Sequence, residues 1–433
     1  MFIILYFNIL YNNSIKDKAT IRIIPSNVKF IVKILSKMVL YFKRGIMKIL
    51  ITSDWYWPVV NGVVRSVMNL IEYLEGEGHD VRVLTLSNTT KSYRDGKVYY
   101  VGSLSAEKIY PQARISNLLA KSHLKEIKAW GPDVVHSQCE FSTFMMAKRI
   151  ASDQEIPLIH TYHTVYEDYT HYFIPSKQAG KKIVSVASKT LASLCDRIIV
   201  PTAKTENLLI DYGVNPAKID IIPTGIHIPE LYDKALLRKA LGIEEDAKVL
   251  LYLGRLGEEK NIQEIMEYYD KLKDSEIKLY IVGGGPYLDT LKEDAAKITK
   301  EVIFTGMVEA NSVNRYYQAA DIFVTASTSE TQGLTYYEAL ANGTIALCRN
   351  DSVLDGVIKN GFNGFKYENF EEFEKFIDRV FSDSEYKELL EINTRSYARE
   401  NFSVDGFGTK CLACYDKAIK EYKRESINIF KRL

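Results

Sequence analysis

The sequence predicts an α/β protein made of two doubly wound domains in series, followed by a helical tail. Three observations carry this. From Met47 onward, short apolar runs rich in β-branched residues alternate with amphipathic stretches, which implies parallel βαβ units and a sheet covered on both faces. The alternation pauses once, at Ile222-Pro-Thr-Gly-Ile-His-Ile-Pro-Glu230, and then restarts. From Glu371 to Glu425 helical spacing continues without strands. At 433 residues the chain is also too long for one ordinary core and fits two domains of about 150–200 residues each.

The elements follow in order. Lys48–Thr52, Val81–Leu86, Asp133–His136, Leu158–His160 and Arg197–Val200 read as buried strands. Between them Val63–Leu74, Leu118–Trp130, Thr143–Ala151, Lys181–Leu194 and Thr205–Tyr212 carry apolar residues at helical spacing. The two prolines and the glycine of residues 222–230 mark a linker. A polar helical stretch then runs to about Asp246. Strands recur at Val249–Leu253, Leu279–Val282, Val302–Thr305, Ile322–Thr325 and Ile345–Leu347, with helices at about Ile262–Leu272, Tyr287–Lys297, Val313–Ala320 and Tyr336–Ala341. Open sheets of this type bind ligands outside the carboxyl ends of their strands, so two of them facing each other place the site in the cleft between.

Lys+Arg is 56 against Asp+Glu 55, so no global field marks a nucleic-acid binder. The charge is uneven, however. Residues 1–46 hold eight cations and one anion, a net of +7, which leaves −6 for residues 47–433 of a chain whose total is +1. Lysines recur every four residues from Val28 to Phe42 among apolar side chains. This basic extension reads either as an amphipathic helix on an anionic membrane or as upstream sequence taken in by an early start. Five scattered cysteines make no disulfide framework. Cys411-Leu-Ala-Cys414 lacks a second pair, and packed helix cysteines in a reducing cytoplasm account for it.

The first strand leads into Ser53-Asp-Trp-Tyr-Trp-Pro-Val-Val-Asn-Gly62. A dinucleotide fold would place G-x-G-x-x-G here, and no P-loop, nucleophile elbow or metal-ligand spacing occurs elsewhere. Gly62 can open a helix whose bare N–H groups face the cleft, a phosphate site, or it is an ordinary loop glycine.

Four features on strand ends of the second domain point the same way. Arg255 and Lys260, in Gly254-Arg-Leu-Gly-Glu-Glu-Lys-Asn261, straddle a turn and can reach one anion at a helix N-terminus. Val282-Gly-Gly-Gly-Pro286, with Gly284 and Gly285, offers backbone to a flat ring or a phosphate and puts proline at helix position N1. Glu330 and Glu338 are separated by seven residues, with Gly333 and Leu334 between, and both carboxylates can face the cleft. Gly361-Phe-Asn-Gly364-Phe closes a small turn.

Together these motifs resemble the retaining GT-B glycosyltransferases of family 4, from Met47 to the C-terminus. The resemblance implies that Arg255 and Lys260 bind the donor diphosphate and Glu338 the ribose hydroxyls. It also implies that Glu330 meets the sugar beside the reacting carbon, and that Gly62 meets the β-phosphate through its backbone. Fixed cations and helix dipoles then stabilise the leaving group without a metal or other cofactor. Thr344, and Thr331-Gln332, depart from the commoner pattern and bear on subfamily.

The stretch Ile159-His-Thr-Tyr-His-Thr-Val-Tyr-Glu-Asp-Tyr-Thr-His-Tyr-Phe173 packs three of the seven histidines, two acids and four tyrosines into fifteen residues. It resembles bacterial diacylglycerol glucosyltransferases, as does Gln332. That resemblance puts His163 by the donor sugar, and Glu167, Asp168 and His171 toward the acceptor. Lys177, Lys181, Lys182 and Lys189 follow, interleaved with apolar residues and with no acid before Asp196, a basic helix suited to anionic lipid.

The expectation is an enzyme moving a hexose, glucose in the first place, from a UDP-sugar to 1,2-diacylglycerol, peripheral on the cytoplasmic face of the membrane. A transferase using GDP-mannose or a UDP-N-acetylhexosamine on another acceptor, or a sugar-nucleotide epimerase, is the alternative. Residues 47–223 form the acceptor domain, 224–402 the donor domain, and 403–433 a helix returning to the first domain. The oligomeric state is left open.

Overall fold

The computed structural model describes residues 45–59, 61–106, 113–116, 121–164 and 177–430. Nearly all of residues 1–46, together with Glu167, Asp168 and His171, lie outside the described residues. In chain order the first domain comprises β1 (Lys48–Ser53), α1 (Gly62–Gly76), β2 (Asp80–Leu86), β3 (Tyr93–Asp95), β4 (Val98–Val101), β5 (Ser103–Ser105), β6 (Arg114–Ser116) and α2 (Lys121–Trp130). It continues with β7 (Val134–Ser137), α3 (Ser142–Gln154), β8 (Leu158–Thr161), α4 (Lys177–Ser193), β9 (Arg197–Val200), α5 (Ala203–Asp211) and β10 (Ile219–Ile221). The second domain runs α6 (Lys234–Leu241), β11 (Lys248–Leu253), α7 (Ile262–Lys271), β12 (Ile277–Val282), α8 (Leu288–Ala295), β13 (Val302–Gly306), α9 (Val313–Ala319) and β14 (Ile322–Thr325). Then come α10 (Leu334–Ala341), β15 (Ile345–Arg349), β16 (Gly364–Tyr367), α11 (Phe370–Ser382), α12 (Ser384–Asn401) and the long α13 (Val404–Phe430).

Among the described residues the first sheet has the order β10-β9-β8-β7-β1-β2-β4-β3 and the second β13-β12-β11-β14-β15-β16. Within these two sheets pairing is parallel except for the edge strand β3, and β5 and β6 form a separate antiparallel pair. In each sheet the chain winds outward one way and then the other, so it reverses beside β1/β7 and beside β11/β14. These switch points open crevices at the carboxyl ends of the strands, and the candidate residues cluster there. Helices α1 and α13 cover one face of the first sheet through Val67, Leu70, Leu74, Phe407, Cys411 and Tyr415. Helix α3 covers the other face with Phe144, Met146 and Ile150. Asn61 caps α1 by accepting from Val64 N at 2.9 Å.

The chain crosses between domains twice, side by side: Ile226 N bonds Phe402 O at 2.9 Å, and Val404 N bonds Ile226 O at 3.1 Å. A Cβ at Gly408 would lie 2.0 Å from the Tyr73 ring, so α13 rests on α1 without a side chain there. Pro286 does not occupy position N1. Helix α8 starts at Leu288 behind Tyr287, whose backbone N–H donates to Leu256 O at 3.1 Å. Cys411 and Cys414 are buried free thiols.

Candidate active site

One half of the cleft is built at the ends of β11, β12 and β14. Gly254 leaves β11 at φ +158 and lies directly against the glycine run after β12. A Cβ at Gly283 would stand 1.9 Å from Gly254 O, and one at Gly285 2.2 Å from Leu256 O. Leu256 N donates to Gly284 O at 3.0 Å, while a Cβ at Gly284 would meet Met307. Gly283 and Gly285 thus serve a backbone-to-backbone contact between two loops.

Arg255 and Lys260 are not directed at one common point. Arg255 pairs with Glu259 one turn on, whereas Lys260 Nζ lies 2.5 Å from Glu330 Oε1. Ser327 Oγ donates to the same oxygen at 3.1 Å. The Lys260–Glu330 pair is mostly shielded, with side-chain exposures of 15% and 19%, and charges removed from water in this way require a partner.

Gly333 opens α10 at φ +72. A Cβ there would come within 2.4 Å of the Tyr336 ring, so only glycine makes this turn. Glu338, one helical turn along α10, accepts from Tyr317 OH at 3.3 Å. Burial raises its pKa, and the opposing charge of Arg65 limits the rise. Arg65 sits on the first turn of α1, in the other domain. A Cβ at Gly62 would likewise lie 3.6 Å from Leu334 Cδ1. Gly62, Arg65, Glu330, Gly333, Leu334 and Glu338 therefore meet across one cleft.

The other half of the cleft lies at the ends of β1, β7 and β8. His163 Nε2 donates to Gln138 Oε1 at 2.7 Å, which leaves Nδ1 as the unprotonated nitrogen. Burial, then the charge of His160, lowers the His163 pKa to about 3, so the ring is neutral at physiological pH. Gln138 Nε2 lies 3.1 Å from His136 Nε2, and His136 Nδ1 lies 2.6 Å from Tyr415 OH on α13.

Asp54 is buried, 6% exposed, and its Oδ1 accepts from Thr143 N at 2.9 Å. It caps α3, whose own cap residue Phe141 makes no side-chain bond. Burial pushes the Asp54 carboxyl up from 3.8 to about 6, with backbone hydrogen bonding opposing the rise. A carboxyl raised by folding favours the folded state fully below pH 3.8, and this contribution is lost as pH rises through 6. Asp54→Asn keeps the acceptor oxygen but removes the ionisation. It is expected to stabilise the protein at pH 8, by up to about 3 kcal/mol, and to change little at pH 4. Calorimetry at the two pH values checks this; an equal shift at both would refute it.

Residues 60–229 match the model "Glycosyltransferase Family 4" and residues 233–397 match "Glycosyl transferases group 1". An α-monoglucosyldiacylglycerol synthase of Streptococcus pneumoniae is 34% identical over 386 residues, covering 86% of both chains. The chain belongs to glycosyltransferase family 4. A second α-monoglucosyldiacylglycerol synthase, from Acholeplasma laidlawii, is 33% identical over 383 residues, 82% of this chain and 95% of that one. In fold, the chain superposes on Anabaena HepE in complex with UDP and glucose with a TM-score of 0.67 at 15% identity, over 86% of this chain and 100% of that one. Sucrose-phosphate synthase of Thermosynechococcus elongatus also gives 0.67, at 20% identity, over 86% and 98%.

Within this glycosyltransferase the structure adds residues that the motifs did not single out. Arg65 is one turn beyond Gly62, the spacing that puts it on the cleft face. Tyr317 reads as part of an apolar helix face, and nothing in its spacing announces the bond to Glu338. Gln332 is more than a mark of subfamily. Its amide is buried and pairs twice with the Thr224 backbone, at 3.0 Å each way. Thr344 donates to Tyr317 O at 2.7 Å, which steadies the residue holding Glu338.

Proposed function

We propose that this glycosyltransferase transfers glucose from UDP-glucose to the free hydroxyl of 1,2-diacylglycerol, with retention, while bound to the cytoplasmic face of a membrane. The observation that carries the acceptor is the match to two α-monoglucosyldiacylglycerol synthases over more than four-fifths of this chain. The cleft geometry is compatible with the chemistry. In transfer, the bond from the sugar's anomeric carbon to the diphosphate oxygen breaks and a bond to the acceptor oxygen forms. Negative charge grows on the departing diphosphate, where Arg255, Lys260 and the N-terminus of α1 at Gly62 are the stabilising groups. This reading assigns the reaction no metal. Glu338 takes the ribose hydroxyls and Glu330 the sugar. Neutral His163 orients a sugar hydroxyl through Nδ1, and the acceptor proton goes to Glu167, Asp168 or the leaving phosphate.

A lipid acceptor calls for a membrane-facing surface. Helix α4 exposes Lys181, Lys182 and Lys189 beside Ile183 and Val186, which are 57% and 59% exposed; the side chain of Lys177 lies outside the described residues. No helix among the described residues is long and apolar enough to cross a membrane. Changing Lys181, Lys182 and Lys189 together to glutamate is expected to abolish sedimentation with anionic vesicles, since each cation contributes about 1 kcal/mol near such a surface. UDP binding should be retained. Unchanged sedimentation would remove α4 from the docking surface.

The test of function supplies the full chain with dioleoylglycerol in anionic vesicles, and with UDP-glucose, UDP-galactose or GDP-mannose in parallel. Glucolipid formed from UDP-glucose alone is the expected result. Donor turnover without glycolipid would discard the lipid acceptor, and glycolipid from another donor would discard glucose.

A further inference from the structure

We infer that Lys204, on the acceptor domain, is a positioning residue for Glu330 on the donor domain, and that the Glu330 loop is fully set only when the two domains are in contact. This rests on the reading above that Glu330 meets the donor sugar. Lys204 lies in the first turn of α5. Its Nζ reaches across the cleft to donate to Thr328 O at 3.0 Å and to both oxygens of Asp351 at 2.8 and 2.9 Å. The residue capping α5, Thr202, makes a second tie. Its Oγ1 accepts from Thr205 N at 3.3 Å and donates to Thr331 O at 3.0 Å. Backbone carbonyls on both sides of Glu330 are thus held by side chains of the other domain.

The third tie is Gln332, whose amide pairs with the backbone of Thr224 where the chain crosses between domains. Thr224 Oγ1 in turn bonds Ser66 Oγ on α1 at 3.0 Å. From its own domain the loop receives the Lys260 and Ser327 bonds to the Glu330 carboxylate and a bond from Ser329 Oγ to Glu259 O at 3.1 Å. The carboxylate is therefore oriented by the donor domain, while the backbone that carries it is fixed largely from across the cleft. Lys204 is 28% exposed and Asp351 12%, so the pair is shielded enough to hold a defined geometry. Opening the cleft breaks the Lys204 and Thr202 ties together, which couples the placement of Glu330 to domain contact.

Full-length Lys204→Met, Lys204→Arg and Asp351→Asn proteins test this by hydrogen exchange and steady-state kinetics. In Lys204→Met, amide exchange across residues 327–333 should rise about tenfold, with the rest of the chain unchanged. The kcat for transfer should fall about 10–100-fold while KM for the donor and the Kd of UDP stay within about twofold. Asp351→Asn should show a smaller change in the same direction, and Lys204→Arg should restore most of the wild-type exchange. Unaltered exchange at 327–333, or an increase spread evenly over the chain, would overturn the inference. If wild-type protein makes no glycolipid, the proposed function falls, and the exchange measurements still decide the role of Lys204.

Discussion

Replacing Lys260 with alanine is expected to lower kcat for hexosyl transfer by about 10²–10³-fold, with a smaller effect on KM for the donor. The physical reason lies in where charge develops. In the proposed reaction, a full negative charge accumulates on the leaving oxygen as the bond from the sugar to the diphosphate breaks. A fixed ammonium in a site only 15% exposed stabilises that charge more than it would in water. Lys260 also compensates Glu330 at 2.5 Å. The single variant therefore removes the cation and leaves a shielded carboxylate unpaired, so part of its effect is disorder at Glu330. Combining Lys260→Ala with Glu330→Gln separates the two, because coupling between the substitutions appears as non-additivity in the cycle. Glu338→Ala should behave differently and mainly raise KM, since the ribose contact proposed for it is the same in ground and transition states. Initial rates over a range of donor concentrations distinguish these outcomes. Wild-type turnover in both single variants at saturating donor would show that the site is misassigned.

What the sequence discloses follows from which interactions are local. The strands from β1 to β15 that form the two sheet centres are continuous apolar runs, because strands buried on both faces admit little else. The edge elements escape notice for the opposite reason. β10 spans three residues with Asp220 at its centre, and β3 is fully exposed, so neither carries a hydrophobic signature. The hairpin that joins β3 to β4 turns at Gly96-Lys97, with Gly96 at φ +53, the one local cue to it. In the site, Arg255, Lys260, Glu330 and Glu338 are recognisable by spacing, but their partners are not. Glu259 pairs with Arg255, Tyr317 bonds Glu338, and Gln332 clasps Thr224, 108 residues away. The first of these pairs is local, four residues apart, but which of several nearby charges it selects is not written in spacing. The other two depend on tertiary packing within the second domain and at the domain crossing, which no local pattern encodes. The glycine run shows the same limit. Its composition points to a ligand, whereas packing against Gly254 and Leu256 already requires it.

Asp321→Asn is expected to cost about 3–5 kcal/mol of folding stability at neutral pH, by leaving cations without their shared counter-charge. Asp321 is 2% exposed and gathers several elements onto one carboxylate. Oδ1 accepts from Lys234 on α6 at 2.8 Å and from Lys387 on α12 at 2.6 Å. Oδ2 accepts from Arg238 on α6 and from the backbone N–H of Val249 in β11, at 2.9 and 2.8 Å. Burial alone would raise the pKa, but the charges of Lys234, Lys387 and Arg238 outweigh it and hold the group at about 2. A carboxyl lowered by folding contributes stability that is present above its unfolded value of 3.8 and is lost as pH falls through 2. The size of that contribution is about 2.5 kcal/mol. Wild-type protein should therefore lose stability between pH 4 and 2 more steeply than the asparagine variant, whose amide does not titrate. Denaturant unfolding at pH 7 and along the acid limb measures both effects, and a loss below about 1 kcal/mol at pH 7 would mean that the cations find water instead. Asp321 stands at the amino end of β14, opposite the end that leads to Glu330. The variant that is still folded at low temperature should accordingly retain its kcat, separating support of the sheet from chemistry in the cleft.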